Sequence, residues 1–180
     1  MAEQEEISVY QLENSTEHCV ALSLFVDITN SPEIRKLVME GRIEATFLKP
    51  SMIADPFQVV LAAHKALHLS KLQKTKTKTL HSEIIFNLSP TNNITDSFKK
   101  FGLSENDTTL LLAVITTGDG VEKMRAISQH VKGRQVPISN LKTLADQQAI
   151  KKVYKIQDCE LKVSSLTESV ICRMATKDVL

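Results

Sequence analysis

Residues 79–112 read TLHSEIIFNLSPTNNITDSFKKFGLSENDTTLLL, and how this stretch is parsed decides the fold. Glu83–Leu88 is a short, largely apolar run that reads as a strand. Pro90 lacks an N–H and ends its pairing. Asn92 or Asn93 can cap a short helix carrying Ile94, Phe98 and Phe101 on one side, and Gly102 closes it. Thr108–Thr116 is rich in β-formers and apolar throughout, as expected of a strand buried on both faces. The order is therefore strand, turn, short helix, strand.

Upstream, residues 7–12 alternate weakly, as an edge strand does. His18–Asp27 sets Val20, Leu22, Leu24 and Val26 on one face against Ala21, Ser23 and Phe25 on the other, which suits a central strand. Ser31-Pro32-Glu33 and Asp55-Pro56 are helix starts, each pairing a capping side chain with a first-turn proline. The second helix carries Phe57, Val60, Leu61, His64, Leu67 and His68 at helical spacing. Gln73–Thr79 alternates lysine with threonine and reads as an exposed connection or an extended edge. Downstream, Val121, Met124, Ile127 and Val131 fit another helix, and Ser139–Ile156 holds one or two short ones. The last helix shows a stripe of Val163, Leu166, Val170, Ile171 and Met174. Connections this irregular do not suit regular βαβ winding. The expected architecture is α+β: one domain over residues 1–180, a small, mostly antiparallel sheet covered by helices. Whether the acidic residues 1–6 are ordered stays open.

Composition narrows the function. A chain of 180 residues with 42% apolar residues, 22 basic and 21 acidic, can bury one core and has no global bias toward nucleic acid. Charge is instead uneven locally. Residues 64–81 hold Lys65, Lys71, Lys74, Lys76 and Lys78 without an acid, whereas the first seventeen hold five glutamates and no Lys or Arg. Cys19, Cys159 and Cys172 are too scattered for a disulfide framework or a zinc knuckle. The acidic start is not that of a secretory leader, so the expected location is cytosol and nucleus, with no membrane.

Enzyme signatures are missing: there is no phosphate-binding glycine loop, dinucleotide turn or nucleophile elbow. His64 and His68 share a helix face, but Lys65 stands where a metalloprotease carries its glutamate, and no third ligand is evident, so no metal is expected. Cys172 sits in an apolar stripe and reads as a buried structural thiol. No catalytic residue and no cofactor are expected. The coherent constellation is basic: Lys76 and Lys78, two apart on an extended segment, point one way, and Asn92 and Asn93 mark a helix N-terminus that favours an anion. Such a set could hold the phosphates of a single-stranded end. Stacking aromatics are few, which favours a short, shape-fitted contact. An asparagine-capped turn beside a solvated lysine loop is the plainer alternative.

The order strand–NLSP–NNI–helix–FG, with DPFQVVLAAHKA at 55–66 and ICRMATKDVL at 171–180, resembles the TPRKB family of PRPK-binding subunits of the EKC/KEOPS complex. That resemblance implies a non-catalytic subunit that binds a PRPK-type kinase and, through it, the other subunits of a complex installing threonylcarbamoyl on tRNA adenosine. It implies that the last helix, by Val170, Ile171 and Met174, meets the kinase. It also implies that Lys76, Lys78, Asn92 and Asn93 lie near the 3′ CCA end of tRNA. The alternative is a free-standing tRNA 3′-end binder acting without the kinase. Archaeal relatives often carry LSG followed by a basic residue where this chain has Leu88-Ser89-Pro90-Thr91. Proline removes a donor and threonine a charge, which weakens phosphate contact at those two positions.

Overall fold

The computed structural model describes residues 6–12 and 17–179. Of the acidic first seventeen residues, Glu3, Glu5 and Glu13 lie outside these, as does Leu180 at the end of the ICRMATKDVL stretch. Of residues 1–6 only Glu6 is described; its carbonyl accepts from Ser23 Oγ and Gln135 Nε2, both at 3.2 Å.

The two apolar alternating stretches form the centre. Strand β1 (Ile7–Leu12) pairs with β2 (His18–Val26). Next, α1 (Ser31–Met39) is followed by β3 (Thr46–Leu48), α2 (Pro56–Lys71), α3 (Leu80–Leu88) and α4 (Ile94–Phe101). Strand β4 (Leu110–Thr117) returns to the sheet, followed by α5 (Gly120–Ser128) and β5 (Arg134–Val136). The chain ends in α6 (Leu141–Leu144), α7 (Gln147–Tyr154) and α8 (Leu166–Thr176). The sheet order is β1-β2-β4-β3, with β5 also on β2, and every pairing is antiparallel. The expected α+β class and antiparallel sheet are therefore present. No described helix is long and apolar enough to cross a membrane.

Alternation along β2 and β4 divides the core into two layers. Val20, Leu22, Leu24, Leu111, Ala113 and Ile115 face α2, α3, α7 and α8, meeting Ala63, Ile84, Tyr154, Val170 and Met174. Ala21, Phe25, Leu110, Leu112 and Val114 face α1 and α5 through Ile34 and Met124. The three-residue strands β3 and β5 are too short to show an alternating pattern.

Glu83–Leu88 is not a strand but the body of α3. A continuous apolar run has no period to separate the two states. The helix is chosen at its start, where Thr79 Oγ1 accepts from Ser82 N at 3.1 Å and Ser82 Oγ accepts from Thr79 N at 3.1 Å. All of Glu83 to Leu88 is then buried, because α3 lies between α2 and the sheet edge. Asp55 caps α2 as expected, accepting from Phe57 N at 2.9 Å. Ser31 does not cap α1; its hydroxyl donates to Asp107 O at 2.5 Å, and the preceding Asn30 binds the loop before β5 through His130 O and Lys132 N.

A polar knot ties the helices on the α2 side. Gln58 Nε2 donates to Tyr154 Oη at 2.9 Å, and that hydroxyl donates to Leu88 O. Burial pushes the Tyr154 phenol far up, so it stays a donor. Its ring meets Phe101 edge-on at 6.0 Å. After Phe101, Gly102 is required by space: a Cβ there would stand 2.7 Å from Phe98 O.

Candidate nucleic-acid groove and docking face

Where α3 begins beside the sheet edge, a groove of about 1210 Å³ opens between α1, the C-terminal end of α2, α4 and α5. Its floor is apolar, with Ile34, Val38, Phe47, Leu103, Leu67 and Ile85. Its rim carries Arg35, Lys71, Lys78, Lys99 and Lys123 against a single lining carboxylate, Glu44. Arg35 is held by Glu105 at 3.0 Å, while no carboxylate of the described residues pairs with Lys78, Lys99 or Lys123. A basic rim over an apolar floor suits a short single-stranded nucleic acid, phosphates on the lysines and bases against the floor.

Of the four residues the sequence assigned to RNA, Lys78 lines this groove; Lys76, Asn92 and Asn93 do not. Lys76 is exposed on the same loop. Asn92 is exposed beyond the far end of α4, and Asn93 caps that helix, its Oδ1 accepting from Asp96 N at 3.0 Å. Asp96, paired with Lys100 at 2.7 Å, already supplies negative charge at that N-terminus, so it is a poor seat for a second anion. Sequence reasoning missed Arg35, Lys99 and Lys123. They come from three helices far apart in the chain, and no local pattern joins them.

His81 stands in the groove wall with Nε2 accepting from Ile115 N at 3.3 Å, so that nitrogen must be unprotonated. Burial, with Lys123 adding to it, pushes its pKa from 6.5 to about 4. Between those values the unfolded chain binds more protons than the folded one, so stability is full above pH 6.5 and lost as pH falls toward 4. The loss should reach roughly 3 kcal/mol. Denaturant unfolding of the wild type and a His81→Gln variant at pH 7 and pH 4.5 checks this; the variant should lose less over the same interval.

The last helix presents a different surface. Ser165 and Glu168 close a reciprocal cap at its start, which places Val163 before the helix and 89% exposed rather than in the stripe. Its inner side is Ser169, Val170, Met174 and Lys177, all buried. Val170 and Met174, expected to meet the kinase, are thus core residues of this chain, at 0% and 3% exposure. Only Ile171 of the three reaches the surface, and it is half-buried. Cys172 is exposed, not buried, because it lies on the outer side with Ala175 and Val179. Arg173 beside it is committed to Glu160, at 2.7 and 2.8 Å.

Lys177 pins the helix end inward. Its ammonium donates to Phe86 O and lies 3.5 Å over the Phe86 ring. Burial, with Lys65 adding to it, pushes its pKa down to about 8. Lys65 of α2 then holds Asp178 at 2.5 Å, so α2 and α8 lie side by side. The outer side of α2 shows Phe57, at 52% exposure, with His64 and His68 along the same side. Among the described residues no group of three or more His, Cys, Asp or Glu is placed to hold a metal ion. No residue of α7 or α8 lines the groove, so the two surfaces are separate.

A family model described as kinase binding protein CGI-121 matches residues 25–178. The chain belongs to the CGI-121 family. That match runs from the end of β2 to just past α8 and so contains all of the groove lining but His18 and all of α8. The chain is also similar to the EKC/KEOPS complex subunit TPRKB of Danio rerio, 42% identical over 168 residues, covering 93% of this chain and 96% of the relative. Two fungal CGI-121 relatives, both named EKC/KEOPS complex subunits, are more distant. The Aspergillus fumigatus protein is 33% identical over 144 residues, 76% of each chain. The Candida glabrata protein is 34% identical over 120 residues, 67% of each chain.

Proposed function

We propose that this CGI-121 protein is a non-catalytic EKC/KEOPS subunit that docks a PRPK-type kinase with the outer side of α8 and the adjoining face of α2. It holds the unpaired 3′ end of tRNA in the basic groove. Family membership over residues 25–178 carries the kinase half of this reading. The apolar strip of Ile171, Cys172 and Ala175 on the outer side of α8, continued by Val179 in the turn after it at 79% exposure, supports its location, since the inner side of the helix is already core. The unpaired lysines support the RNA half.

Ile171→Asp tests the docking face without touching the core. It should weaken kinase association about 30-fold or more, as loss of a central interface contact does, while thermal unfolding stays nearly unchanged. Unchanged affinity in both Ile171→Asp and Phe57→Ala would remove this face from the interaction. The groove also favours the second reading, a free-standing tRNA 3′-end binder. In that case RNA affinity would be the same with and without kinase; the subunit reading expects kinase to raise it.

A further inference from the structure

We propose that Glu83 is a positioning residue that fixes the lysine loop of residues 74–79 at the mouth of the groove. This rests on the reading that the groove receives RNA. Glu83 lies in the first turns of α3 with no exposed surface. Its carboxylate faces the loop instead of a basic side chain. Oε2 accepts from Thr77 N at 2.8 Å and from Thr77 Oγ1 at 2.7 Å, and Lys76 N reaches both oxygens at 3.1 and 3.2 Å. The Thr77 hydroxyl in turn accepts from Ser82 Oγ at 3.0 Å, which joins this clamp to the cap of α3.

Three donors converging on one group require an acceptor with several lone pairs and no N–H of its own, which a carboxylate supplies and an amide does not. The donors come from Thr77 and the N–H of Lys76, so the backbone between the two lysines is turned inward. The side chains of Lys76 and Lys78 are left exposed, and Lys78 is brought to the groove. No strand partner holds this loop; at its α2 end Gln73 N donates to Ser70 O and Lys74 N to Leu69 O, and at its α3 end Thr79 N donates to Ser82 Oγ while Thr79 O accepts from Glu83 N, which leaves the stretch between to Glu83. Glu83 therefore does for the loop what sheet pairing would do for an extended edge. Its negative charge also reaches the buried Lys177, so a purely structural role is the rival explanation.

The test uses the full chain and a single-stranded oligoribonucleotide ending in CCA, with binding followed by fluorescence anisotropy. Glu83→Gln should weaken binding about tenfold, and Thr77→Val, a milder change on the loop itself, about threefold. In the Glu83→Gln background Lys78→Ala should cost little further, whereas Lys123→Ala, across the groove, should keep its full effect. A merely structural Glu83 would leave the effect of Lys78→Ala as large in the Glu83→Gln background as in the wild type, and that result overturns the proposal; if Glu83→Gln does not fold, the same comparison is made with Thr77→Val. Hydrogen exchange at the Lys76 and Thr77 amides separates the clamp from the groove reading. Exchange should rise about tenfold or more in Glu83→Gln, and unchanged exchange overturns the clamp. A wild type that binds no RNA but shows this change overturns the groove reading and, with it, the role of the loop.

Discussion

Met174→Asp is expected to unfold this protein or to lower its melting temperature by about 10 °C or more. Met174 is 3% exposed and packs in the same cluster as Val170, Ile84 and Leu88. A carboxylate there would lose its hydration, and the methionine's apolar contacts would also be lost. Together these cost about 4 kcal/mol or more, a large part of the 5–15 kcal/mol that holds a domain folded. Circular dichroism melting measures the effect directly. Ile171→Asp, three residues earlier on the same helix, should melt close to wild type. Equal melting of the Met174→Asp protein and wild type would mean that α8 is not seated as described.

Replacing Lys78, Lys99 and Lys123 together by alanine should produce the largest loss of RNA binding. Each lysine neutralises about one phosphate, and on a single strand each such contact contributes about 0.7 to the slope of log affinity against log salt. Removing three should flatten that slope by about two units, which is on the order of several hundredfold in affinity at 50 mM salt relative to 1 M. None of the three pairs with a carboxylate among the described residues, so folding stability should barely move. A salt titration of the same oligoribonucleotide decides it. An unchanged slope would place the phosphates elsewhere.

The central strands were legible because β2 and β4 announce themselves by alternation and by apolar residues on both faces. Helix α2 was legible from Asp55-Pro56. Helix α3 was not, because Ile84-Ile85-Phe86 is equally suited to a buried strand and a buried helix. The deciding signal was the capping pair Thr79 and Ser82, hidden in the lysine-threonine alternation. The start of α8 was misplaced for a related reason. Val163 extended the apolar spacing, whereas Ser165 and Glu168 carried the actual boundary. The resemblance pointed to Val170, Ile171 and Met174 for the kinase, and of these Val170 and Met174 turn inward. A helix stripe is apolar toward its own core first, and only residues left outside that arc are free for another surface. Of the basic site, Lys78 was visible as part of a lysine run. The rest of the rim exists only once α1, α4 and α5 are brought around the floor.

The groove and the α8 face lie apart on one small domain, and their simultaneous occupancy is the most direct test of the proposed function. A tRNA with an intact 3′ CCA end is added to the preformed complex of this chain and a PRPK-type kinase, and the mixture is followed by sedimentation velocity. A single species containing all three components is predicted, reduced to the kinase complex alone when Lys78, Lys99 and Lys123 are alanine. Displacement of the kinase by tRNA would contradict the account, because it would mean that the two partners compete for one face.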